Sequence, residues 1–151
     1  MYLSKEELAN KLIGKKINKI FLNSEYLKFE TDQGNVLFEV YGDCCSHSYF
    51  YDFYGVKKLL QNGPVTDFKS IDLKEGDYNN WIDPNKEYDY DYIQCYGYAI
   101  TTVNPEFGEQ TSVFSFRNKS NGYYGGSLEW RDGGADLEVS PEITDDVLEV
   151  K

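Results

Sequence analysis

From Lys16 to Trp130 the chain is governed by an alternation of apolar and polar residues with a period of two. That spacing places every second side chain on one face of a β-strand. Leu27, Phe29 and Thr31 alternate with Tyr26, Lys28 and Glu30. Past the turn residues Asp32-Gln33-Gly34-Asn35, Val36, Phe38 and Val40 alternate with Leu37, Glu39 and Tyr41, so residues 26–41 read as a hairpin. Further strand runs fall at 16–22, 65–73, 87–103, 110–117 and 123–130. Helical spacing is confined to two short stretches. Ser4 to Ile13 opens with a capping box, Ser4 and Glu7, places Leu8 and Leu12 on one face, and stops at Gly14. Val56 to Gln61 ends at Asn62-Gly63-Pro64. Residues 42–55 are rich in aromatic side chains and have no settled form, and 74–86 read as loop. The expected fold class is α+β: one domain over residues 1–151, a mainly antiparallel twisted sheet of five or more strands, an N-terminal helix and one further short helix. The acidic C-terminal segment 132–151 is expected to be frayed, with a strand from Glu142 as the alternative.

Composition restricts the setting. A chain of 151 residues can bury a core without disulfides or metals, and an aromatic content of 17% argues against disorder. No apolar run approaches the roughly 20 residues of a membrane helix, and the first residues are not a secretion signal. The expectation is a soluble cytoplasmic protein with no membrane contact. Charge is uneven. The whole chain carries −11, yet residues 1–28 hold six Lys and three Glu, while residues 29–151 hold nine basic and 23 acidic residues. An acidic body repels phosphate backbones, which disfavours direct nucleic-acid binding and favours basic grooves on other proteins.

Three cysteines and one histidine are the chain's whole supply of thiol and imidazole. Cys44, Cys45, His47 and Cys95 make up a tetrahedral ligand set, so one structural zinc ion is an expectation if residues 42–45 turn back beside Cys95. The rival reading of the same residues is an enzyme with Cys44 or Cys45 as nucleophile and His47 as base. A simple burial of the cysteines as small apolar residues is the third.

The run from Glu87 to Tyr98 sets Tyr88, Tyr90, Tyr92, Tyr96 and Tyr98 on one strand face, and Asp89 and Asp91 on the other. Same-face residues recur about every 6.7 Å, close to two nucleotide steps along a DNA strand, so the acids can imitate phosphates. Asp83, Glu87, Asp89 and Asp91 with Tyr88, Tyr90 and Tyr92 are therefore the candidate partner-binding residues. The plain alternative is a tyrosine face packed on a helix and two solvated aspartates at a strand end.

Two stretches carry a resemblance: Gly42-Asp43-Cys44-Cys45-Ser46, and Phe116-Arg117-Asn118-Lys119-Ser120-Asn121-Gly122-Tyr123-Tyr124-Gly125-Gly126. They are similar to the signature of a family of small uncharacterised domains borne by phages and prophages, over about residues 26–130. His47 departs from that pattern. The resemblance implies a phage origin and, with it, action in the cytoplasm of a bacterial host cell and a counter-defence role of the anti-CRISPR type. The expected partner is then a CRISPR nuclease effector, whose basic channel holds nucleic acid by its backbone. The rival classes are the cysteine-centred enzyme and a phage structural or assembly protein.

Overall fold

The computed structural model describes residues 3–43, 45–73, 92–121 and 125–151. Its elements in chain order are α1 (Lys5–Ala9), β1 (Ile17–Leu22), β2 (Tyr26–Thr31), β3 (Gly34–Gly42), β4 (His47–Tyr54), α2 (Val56–Gln61), β5 (Asp67–Ile71), β6 (Tyr92–Asn104), β7 (Gly108–Ser120), β8 (Gly126–Trp130), a 3-10 turn (Gly134–Asp136) and β9 (Glu142–Ile143). The architecture is mostly antiparallel sheet with two short α-helices, one of them N-terminal. The strands do not form one sheet, however. They divide into a five-stranded sheet, ordered β8-β3-β2-β1-β9, and a four-stranded sheet, ordered β4-β7-β6-β5.

The two sheets meet through aromatic rings placed by the period-two pattern. Leu27 and Phe29 of β2 and Phe38 of β3 face inward and are fully buried. Opposite them stand Phe50 and Phe53 of β4, Phe68 of β5, and Phe114 and Phe116 of β7, all buried. Phe29 meets Phe53 with ring centres 6.3 Å apart, and Phe38 meets Phe68 at 5.6 Å, so the rings bridge the sheets. Tyr96 and Tyr98 belong to the same inner face. Tyr96 stacks on Phe116 at 4.8 Å and Tyr98 on Phe114 at 5.5 Å. These two tyrosines are therefore packed on core phenylalanines of the neighbouring strand rather than on a helix. Large aromatic residues bury the most area per side chain, which lets a small two-layer fold hold together.

The helices are short because the sheets carry the burial. The Ser4–Glu7 capping box forms as the sequence predicts, but α1 runs only to Ala9. Residues 10–14 continue as turn, and Gly14 takes φ 86° where the chain reverses. The N-cap of α2, Gly55, has no side chain to cap with. Its role is filled from far along the chain: the Gly55 and Val56 amides donate to Asp146 Oδ1 at 2.9 and 3.0 Å.

That contact belongs to a C-terminal segment that is fixed in place rather than frayed. Ile143 of β9 pairs with Ile20, on the edge of the five-stranded sheet. Val147 exchanges two backbone hydrogen bonds with Phe53, on the edge strand of the four-stranded sheet. Lys28 Nζ donates to the Leu137 carbonyl at 2.8 Å. Val139 and Ile143 are buried. The tail thus lines one edge of each sheet, and the apolar residues between its acids supply the reason. Among the described residues no helix is long and apolar enough to cross a membrane.

Candidate functional site

The two motif stretches meet in space. β3 ends at Gly42 and β8 begins at Gly126, and these two glycines are register partners. Asp43 donates its amide to the Gly125 carbonyl at 3.0 Å. Both glycines face Asn118 of β7, which is fully buried. A β-carbon on Gly126 would stand 2.5 Å from Ser48 Oγ and 3.1 Å from Asn118 Cβ. A β-carbon on Gly42 would stand 2.8 Å from Ser46 Oγ and 3.1 Å from Asn118 Oδ1. Only glycine allows backbone of one sheet to approach the other this closely. Ser48 Oγ donates to Asn118 Oδ1 at 2.8 Å, and Asn118 Nδ2 reaches Gln94 Oε1 at 3.4 Å. Gln94 Oε1 also accepts from Tyr96 OH, which in turn accepts from the Gly126 amide at 3.2 Å. The motif residues therefore build a buried polar clamp between the two sheets.

Beside the clamp, Ser46 folds back onto Asp43. The Ser46 amide and hydroxyl both donate to the Asp43 carbonyl, at 3.0 and 2.7 Å. Cys45 sits exposed between them at φ 69°, a left-handed conformation that costs a non-glycine residue about 1 kcal/mol. His47 follows, with its ring stacked on Tyr49 at 5.4 Å. Glu25, Tyr26, Glu39, Tyr41 and His47 line a cleft of about 270 Å³ next to it. On its wall, Arg131 Nη1 donates to Glu39 Oε2 at 3.2 Å and to Tyr26 OH at 3.3 Å.

The expected zinc centre is not assembled. Among the described residues no group of three or more His, Cys, Asp or Glu side chains could hold a metal ion. The register gives the physical reason. His47 pairs with Lys119, Cys95 pairs with Arg117, and β7 runs between the strands that carry them. Two strand spacings, roughly 10 Å, separate β4 from β6, too far for one ion to bridge. Cys95 instead accepts a hydrogen bond from Arg117 Nη1 at 2.9 Å. Cys44, the fourth residue of the set, lies outside the described residues.

Cys95 and Arg117 belong to the outer face of the four-stranded sheet, which holds a second polar group that the sequence did not reveal. The Arg117 guanidinium lies 3.9 Å from the centre of the Tyr51 ring and is 3% exposed. Asp52 is 1% exposed and accepts a short hydrogen bond from Ser115 Oγ at Oδ1, while Oδ2 has no hydrogen-bond partner among the described residues. Burial pushes the Asp52 carboxyl up to about 6, against the opposing pull of Ser115 and of Arg117. A β-bulge between Phe50 and Asp52 sets this residue against Ser115. A bulge shifts the period by one residue, which hides Asp52 from an alternation count.

Of the candidate partner-binding residues, Asp83, Glu87, Tyr88, Asp89, Tyr90 and Asp91 lie outside the described residues. Tyr92 opens β6, paired with Ser120. The buried Asn118 was also missed, although its signal was present. It falls in phase with Phe114 and Phe116 on β7, and a polar residue in core phase must be buried and bonded.

Fold and clamp together define a two-sheet, mainly antiparallel domain joined at one end by paired glycines and a buried asparagine. A family model described as Domain of unknown function (DUF7448) matches residues 10–130, and the chain belongs to that family. The match covers both motif stretches. No curated protein and no solved structure matches the chain.

Proposed function

We propose that this chain is a binding protein that docks an acidic surface onto the basic, nucleic-acid-holding face of another protein and so blocks nucleic-acid loading. The role is counter-defence of the phage-borne, anti-CRISPR type, and the partner is a bacterial RNA-guided nuclease. One observation carries the reading. Asp132, Asp136, Glu138, Glu142, Asp145 and Asp146 are all exposed along a tail that β9, the Val147 bridge and the Asp146 cap hold in place. Fixed like charges present a stronger and more specific field than a solvated tail, because no ordering cost attends the encounter. Within this run, Asp145 has an ion-pair partner in Lys57, at 3.5 Å between exposed side chains. Exposed pairs of this kind are weak and leave the field largely intact. The acid-and-tyrosine stretch from Asp83 to Tyr92 adds sequence charge of the same sign.

The test is DNA cleavage by purified, guide-loaded effectors in the presence of this protein, with target loading measured in parallel. Inhibition that weakens as salt rises from 0.05 to about 0.3 M supports the reading, since screening shortens to below about 10 Å over that range. Two charge-neutralised variants locate the surface. One changes Asp132, Asp136, Glu138 and Glu142, and the other changes Asp83, Glu87, Asp89 and Asp91, each to Asn or Gln. Alkylation of the thiols separates this reading from the cysteine-centred enzyme, because a charge-driven inhibitor keeps its effect. Unimpaired cleavage and loading across the effector panel would refute the proposal.

A further inference from the structure

We propose that the tip of the β6–β7 hairpin is a preorganised docking anchor, which inserts Phe107 into an apolar pocket rimmed by lysine or arginine on the partner protein. The inference rests on the charge-driven binding role above and names the contact that holds the complex once charge has brought it together.

Phe107 is 74% exposed, the most exposed large apolar residue among those described, and Val103 nearby is 42% exposed. A single exposed apolar residue is ordinary on a protein surface, so the inference turns on how the chain beneath this ring is held and on the charges beside it. The backbone beneath the ring is held firmly. Asn104 Oδ1 accepts from the Glu106 amide at 2.9 Å and from the Phe107 amide at 3.1 Å. Asn104 Nδ2 donates to Asn62 Oδ1 at 3.0 Å. Asn62 is fully buried at the end of α2, and its Nδ2 donates to Thr102 Oγ1 and Gln110 Oε1, at 3.0 and 2.9 Å. The Gly63 amide donates to the Val103 carbonyl, tying the same helix end to the hairpin. Pro105 restricts one turn dihedral, and Gly108 takes φ 77° to close the loop.

The effect of this network is to hold the ring outward before any partner arrives. A tip fixed in its docking conformation loses little conformational freedom on binding, which is what makes an exposed aromatic residue an effective anchor. The flanking residues choose the partner. Glu106 and Glu109 are exposed on either side of Phe107, and no lysine or arginine occurs from Ile93 to Phe116. Two uncompensated carboxylates beside the ring disfavour an anionic lipid surface or a nucleic acid. They favour a protein pocket with basic residues at its rim, the surface expected where a protein grips phosphates beside an apolar wall.

The experiment is biolayer interferometry against purified guide-loaded RNA-guided nucleases, with lysozyme and cytochrome c as generic basic controls. Compared with wild type are Phe107→Ala, the double variant Glu106→Gln with Glu109→Gln, and Asn104→Ala. Thermal melts of each confirm folding, and Phe107→Ala is expected to melt as wild type because its side chain is 74% exposed. The expected result is specific binding by wild type and dissociation on the order of 30-fold faster for Phe107→Ala. The double glutamine variant should associate several-fold more slowly and with less salt dependence. Asn104→Ala should weaken binding less than Phe107→Ala, by loosening the tip. Wild-type binding that Phe107→Ala retains at full strength overturns the anchor and leaves the binding role standing. No wild-type binding to any nuclease, together with unimpaired cleavage, overturns the binding role and the anchor with it.

Discussion

The two ends of the β6–β7 hairpin use the same device for opposite purposes. Each end is organised by a buried asparagine, Asn118 near the open end and Asn62 beneath the tip. At the open end the network turns inward and binds β7 to β4, β6 and the glycines of β3 and β8. At the tip it turns outward and leaves Phe107 in solvent. Some 11 residues of strand, roughly 35 Å, separate the two ends. The recognisable motif stretches gather at the inward end. A conspicuous sequence signature thus marks where the sheets are joined, while the surface best shaped for contact carries no motif at all.

The largest effect separating the ends is expected at Asn118. Replacing it with Ala removes the partner of the buried Ser48 Oγ and one of the two donors to Gln94 Oε1, which keeps the Tyr96 hydroxyl. The expected loss is about 3 kcal/mol of unfolding free energy, seen as a lower urea midpoint with an unchanged slope.

Between the two ends lies Asp52, whose effect depends on pH. Its carboxyl is raised to about 6 in the folded protein from an ordinary 3.8. The native state therefore holds a proton that the unfolded chain has released, and stability falls as pH rises from about 4 to about 6. The difference amounts to about 3 kcal/mol, constant above that window. Asp52→Asn should remove this decline, so the variant gains on wild type from pH 4 to 6 and then runs parallel to it. A variant curve parallel to wild type throughout would show that Asp52 is ionised without cost.

A smaller effect is expected at Asp146, which caps the start of α2, the end opposite to the one that supports the tip. Asp146→Ala leaves the Gly55 and Val56 amides uncapped and should cost about 1 kcal/mol. Hydrogen exchange should quicken at the first turn of α2, and a loss spread evenly over both sheets would speak against a local cap.

The strands were legible because β2, β3 and β7 alternate cleanly, and the capping box at Ser4 and Glu7 could be read directly. The division into two sheets was not, since alternation fixes which residues share a face but not which face meets which. Phe29 against Phe53 is a contact that only the tertiary arrangement makes. The zinc expectation counted ligand types without strand order, and β7 falls between His47 and Cys95. The tail read as frayed because its acids outweighed Val139, Ile143 and Val147, whose spacing of four suits a helix face and a strand face alike and so selects neither. Asn62 and Asn104 gave no warning, because asparagine is an ordinary turn residue and its burial depends on what lies over it.

The most direct test of the account compares equilibrium urea unfolding of Asn118→Ala and Phe107→Ala under identical conditions. Phe107→Ala should match wild type within about 0.5 kcal/mol, the usual range for an exposed site, while Asn118→Ala falls by about 3 kcal/mol. Equal losses at the two positions, or a larger loss at Phe107, would contradict the division of the hairpin into an end that holds the fold and an end that meets a partner.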